Sequence, residues 1–140
     1  MHDFHRHCAA PCRNVPVTSA LYGTGMALSE LEAARVKKVM DDFLARRRPP
    51  PDIRPQLDLG YRVLGQSVEI FEVRPAWKRP NEKMEGAVAK AAYVRTQNVW
   101  RIYWQRADLK WHVYDPVSQV SSLSEFLAVV EEDAYACFWG

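Results

Sequence analysis

The stretch Val99-Trp-Arg-Ile-Tyr-Trp-Gln-Arg-Ala-Asp-Leu-Lys-Trp-His-Val-Tyr-Asp-Pro116 decides the fold. Its apolar residues recur with period two, as in strands half buried in a sheet, and a short polar interval splits it into two strands. On the first strand Trp100, Ile102 and Trp104 fall on one side, and Arg101, Tyr103 and Gln105 on the other. On the second, Trp111 and Val113 are assigned to the apolar side, and His112 and Tyr114 to the polar side. The expectation is a core face with three tryptophans. The opposite face would alternate aromatic, basic and hydrogen-bonding groups, as a sheet does where it meets a partner.

Upstream, the same period supplies three more strands. Leu57, Leu59, Tyr61 and Val63 alternate with Asp58, Gly60 and Arg62, and Gly65-Gln66 suits a tight type II′ turn. Val68 to Arg74 returns and Pro75 stops it. Strict alternation leaves both faces of that strand mixed, which predicts a bulge near Phe71 or a buried ion pair. Residues 76–85 have the composition of a polar loop, Ala87 to Arg95 reads as the third strand, and Pro116 is expected to end the sheet.

Helices flank the strands. Ser29 and Glu32 have the spacing of a capping box, and Val36, Val39, Met40 and Phe43 follow at helical intervals. The helix should run over 30–47 and stop at Pro49-Pro50-Pro51. Ser122 and Glu125 repeat the capping spacing and predict a short helix over about 123–133. The expected fold class is α+β: an N-terminal helix, a five-stranded antiparallel meander and a short C-terminal helix. Short connections favour antiparallel neighbours, and a helix should cover one face.

At 140 residues with 48% hydrophobic and 26% charged residues, the chain suits one globular domain. Residues 1–25 lack a lasting period and are expected to be a disordered or spurious leader, with a single domain over 26–140 opening at Met26. No apolar run approaches the ~20 residues of a membrane span, and no signal-peptide core follows the basic N-terminus, so a cytoplasmic protein with no membrane partner is expected. His2, His5, His7, Cys8 and Cys12 are zinc-type ligands without the spacing of a finger, so neither a metal site nor a cofactor is expected.

Charge is distributed unevenly. Lys90, Arg95, Arg101, Arg106 and Lys110 face Asp108 alone over 86–114, whereas Asp115, Glu125, Glu131, Glu132 and Asp133 stand without a Lys or Arg over 115–140. Mutual neutralisation explains this more simply than a nucleic-acid footprint. The terminal Phe138-Trp139 pair should dock and carry the acidic segment towards the basic strands.

Two sets of residues could carry function. Arg101, Tyr103, Gln105, His112 and Tyr114 on the polar sheet face would form a non-catalytic binding surface, with the partner open between a nucleic acid and a protein. Glu72, Arg74 and His112 would serve a small hydrolase if they converged on one cleft, although a structural ion pair explains the first two more simply. No Ser–His–Asp pattern and no phosphate-binding loop is present, and His112 is the only histidine after residue 7.

Phe71-Glu-Val-Arg-Pro-Ala-Trp77, Trp100-Arg-Ile-Tyr-Trp104, Trp111-His-Val-Tyr114 and Phe138-Trp-Gly140, in that order, resemble an uncharacterised family of small bacterial proteins, a domain of unknown function. The resemblance covers about residues 28–140. Ala107-Asp108-Leu109-Lys110 departs from the Asn-Gly-like turn of that family's pattern. The resemblance implies no activity and no catalytic residue.

Overall fold

The computed structural model describes residues 27–139; the expectations for residues 1–25, including the histidine–cysteine cluster, fall outside them. Helix α1 spans Glu30–Arg47. Ser29 Oγ accepts the Glu32 N–H at 3.1 Å and Glu32 Oε1 accepts the Ser29 N–H at 2.8 Å, the reciprocal cap expected of this spacing. Val36, Met40 and Phe43 form its buried stripe. Past the other end, Arg48 grips both oxygens of Asp58 at 2.8 Å, fixing where the first strand starts.

The strands are β1 Asp58–Leu64, β2 Ser67–Pro75, β3 Lys83–Val94, β4 Val99–Gln105, β5 Trp111–Val113 and β6 Gln119–Val120, and helix α2 is Leu123–Glu132. The first five form an antiparallel meander in chain order, so the fold is α+β as expected. Gly65 turns β1 into β2 at φ 60°, where a side chain would be strained.

Three details differ from the sequence reading or refine it. Pro116 interrupts the sheet and does not end it. Asp115–Val117 leaves as one 3-10 turn, because Pro116 has no N–H to pair, and β6 then rejoins β4 at Trp100 and Arg101. β3 begins at Lys83, not Ala87: Lys83, Met84 and Glu85 pair with Pro75, Arg74 and Val73 in a ribbon that is solvated on both faces. Between Ile70 and Phe71 the register slips, since Ile70 pairs with Ala89 and Phe71 with Ala87. The extra residue, Val88, is buried beside Ala89, so the bulge adds a side chain to the core.

Both helices pack on one face of the sheet. Val68, Ile70, Ala91 and Ile102 meet Met40, Phe43, Phe126 and Val130 there. The C-terminal tail docks against the same side. Phe138 is buried with its ring centroid 4.7 Å from that of Tyr114. Asp133, in the left-handed conformation at the end of α2, accepts the Phe138 and Trp139 N–H groups at 3.0 Å each. The indole N–H of Trp139 donates to the Val130 carbonyl at 2.9 Å. Glu131 of the acidic segment pairs with Arg46 of α1 at 3.2 Å. Among the described residues no helix is long and apolar enough to cross a membrane.

Candidate binding face

Among the described residues, the other face of the sheet carries no helix. Cross-strand pairing aligns Arg62, Glu69, Lys90, Tyr103 and Val113 in one row over all five strands. Paired residues share a face, so this row defines the open side. Phe71 lies on it beside the row, as do Gln105 and its partner Trp111. On the other flank Ala92 pairs with Arg101, and Arg101 with Gln119.

This register corrects the assignment of faces on β5. Trp111 and Val113 lie on the open face, while His112 pairs with Trp104 on the helix-covered side. Tyr114 follows onto that covered side, where its N–H donates to the Ile102 carbonyl at 2.8 Å and its side chain is 1% exposed. It belongs to the core and cannot reach a ligand on the open face. The cause is the hairpin loop. Arg106 N–H donates to the Lys110 carbonyl and Leu109 N–H to the Arg106 carbonyl, leaving Ala107, Asp108 and Leu109 as a three-residue loop with Leu109 at φ 65°. An odd loop pairs residues of equal parity, so Trp104 stands across from His112 instead of Trp111.

On the open face cations and rings are interleaved. The Lys90 ammonium lies 5.3 Å from the Tyr103 ring centroid and 5.5 Å from that of Trp111, bridging the two. The Arg62 guanidinium stacks 4.2 Å above Phe71 and is ion-paired with Glu85. Gly60 makes room for that ring: a Cβ there would stand 2.9 Å from Phe71 Cζ. Arg101 is exposed and forms no ion pair among the described residues. At the hairpin loop Arg106 lies 5.7 Å from the ring of Trp104, which belongs to the covered side.

Arg101, Tyr103 and Gln105 thus share the open face, while His112 and Tyr114 do not. Sequence reasoning missed Arg62, Phe71, Lys90 and Trp111 there. The parity of the hairpin puts Trp111 on that face, the β3–β4 register puts Lys90 opposite Tyr103, and Phe71 follows the bulge. His112 sits half-buried at the sheet edge, with Nε2 2.9 Å from Asp108 Oδ2. The Asp108 carboxyl lies below its usual range: desolvation pushes it up, but the Lys110 N–H and His112 outweigh that. The Tyr114 phenol is raised by burial, then by the nearby Cys137, Asp133, Tyr135 and Glu132.

Glu72 and Arg74 form a pair on β2, with Arg74 Nη2 3.2 Å from Glu72 Oε1. β3 and β4 separate them from His112 on β5, a gap of three strand spacings or ~14 Å. The three groups do not converge on a cleft. Among the described residues no group of three or more His, Cys, Asp or Glu side chains could hold a metal ion.

The fold and the site together define an α+β sheet platform: two helices cover one face, and cations and rings occupy the other. The model of a domain of unknown function, DUF3024, matches residues 28–140, and the chain belongs to that family. No curated protein and no solved structure matches the chain.

Proposed function

We propose that the protein is a non-catalytic binding module that takes a single-stranded nucleic acid across the open face of its sheet. The observation that carries this reading is the ring–cation packing of Tyr103, Lys90 and Trp111 on a face that no helix of the described residues covers. Flat rings give bases a surface to stack on, and neighbouring cations meet the phosphates. Arg101 and Gln105 would contact the backbone and base edges, and Phe71 would extend the track towards β2. A hydrolase built on Glu72, Arg74 and His112 has no such support, since a catalytic set must lie within hydrogen-bond reach of one reacting group.

Residues 26–140 constitute the module in this reading, and residues 1–25 are not needed for it. A cytoplasmic setting suits Cys137, the free thiol of the described residues.

Fluorescence anisotropy of labelled oligothymidylate and oligouridylate over a series of salt concentrations tests the proposal. Binding should weaken with salt at a logarithmic slope of about −2, as about three phosphate contacts would give on a single strand. No binding at protein concentrations of ~100 μM in low salt, where even non-specific association registers, would refute it. Capture of a protein ligand by the same face, with no affinity for either oligonucleotide, would refute it too.

A further inference from the structure

We infer that a cleft on the helix-covered side, away from the open face, binds a small aromatic carboxylate. The cleft lies between the first turns of α1 and α2 and the β3–β4 turn, and encloses about 280 Å³. That volume holds a body of about ten non-hydrogen atoms at the packing density of protein interiors. Val36 and Val39 line the α1 side, and Tyr93 and Trp100, their ring centroids 5.0 Å apart, line the sheet side. A flat apolar body would bury itself against these four residues.

The polar groups at the cleft set the sign of the ligand's head. Glu32 Oε1 accepts the Ser29 N–H at 2.8 Å and the Arg95 guanidinium at 2.7 Å, so its charge is offset by Arg95. Asn98 Oδ1 accepts the Tyr93 hydroxyl at 2.9 Å, so the amide offers its NH₂ group. Arg35 lines the cleft and forms no ion pair or hydrogen bond among the described residues. With Glu32 offset by Arg95, the charge left uncompensated among the described residues of the cleft is the Arg35 guanidinium. A carboxylate on an apolar ring matches both the wall and the head, since a guanidinium binds a carboxylate through two parallel bonds.

Titration of the full chain with 2-naphthoate, followed by backbone amide NMR, tests this. Saturable shifts should cluster at Val36, Val39, Tyr93, Asn98 and Trp100. Arg35→Ala should weaken binding about tenfold or more, as loss of a charge-assisted pair does, while the free variant keeps the dispersed spectrum of a folded protein, changed only near residue 35. The neutral isostere 2-naphthalenemethanol should bind the unaltered protein correspondingly weakly, and Val39→Phe, which fills the cleft, should abolish the shifts. The inference is overturned if no saturable shifts arise at millimolar 2-naphthoate, if they map to the open face, or if the neutral isostere binds as well as the acid.

Discussion

Leu109 decides which side of the sheet β5 presents. It is 2% exposed and sits at φ 65° in a loop of three residues. A non-glycine residue there costs ~1–2 kcal/mol in backbone strain, which burying a leucine side chain, worth about 1.5–3 kcal/mol, offsets. Alternation within β4 was legible because Trp100, Ile102 and Trp104 are separated by polar residues. The joining of β4 to β5 was not, because alternation gives each strand two faces without saying which ones meet. That depends on loop parity, and Ala107-Asp108-Leu109 has no glycine to mark the left-handed position. The corrected register separates two tyrosines. Tyr114→Ala should destabilise the protein by about 3–5 kcal/mol in a denaturant titration, as truncating a core aromatic does. Tyr103→Ala, on the open face, should cost less than ~1 kcal/mol. Equal costs would restore the original assignment of faces.

At the scale of elements, α1 was readable from its cap and its stripe, since both are local patterns. α2 was readable too, although Glu125 bonds the Ser121 N–H and hydroxyl at 2.8 Å each and not the Ser122 N–H that a reciprocal cap would use. The start of β3 was obscure, because Lys83-Met84-Glu85 pairs with β2 where neither face is buried and no apolar alternation arises. The tail depends on Asp133. Asp133→Ala removes two charge-assisted bonds to backbone N–H groups and should cost ~2 kcal/mol. It should also move Trp139 emission towards that of exposed indole; unchanged emission would mean that packing alone holds the tail. On the open face, Gly60→Ala places a methyl group against the Phe71 ring. We expect a loss of ~1 kcal/mol and a shift of the Phe71 ring resonances, without disturbance of α1.

For the whole molecule, Asp58 joins the end of α1 to the sheet and gives stability a defined pH dependence. The Arg48 guanidinium, followed by the Leu59 N–H, outweighs partial burial and holds its carboxyl at about 2, below the ordinary 3.8. A carboxyl depressed in the folded state stabilises the protein above its unfolded pKa and loses that contribution as pH falls through the folded one. The contribution is therefore complete above about pH 4 and disappears towards pH 2. Arg48→Gln should move the acid unfolding midpoint upward, and an unchanged midpoint would show that the pair is balanced by other contacts.

The central claim concerns the open face, and the affinity of oligothymidylate for the Tyr103→Ala/Trp111→Ala double variant tests it most directly. Both residues lie outside the core, so the variant should stay folded, which its melting profile will verify. Stacking is worth ~1–3 kcal/mol per base, so losing two platforms should weaken binding by ~25-fold or more. Lys38→Ala, on the solvent side of α1, should leave the affinity unchanged. A folded double variant that binds like the parent protein would contradict the account.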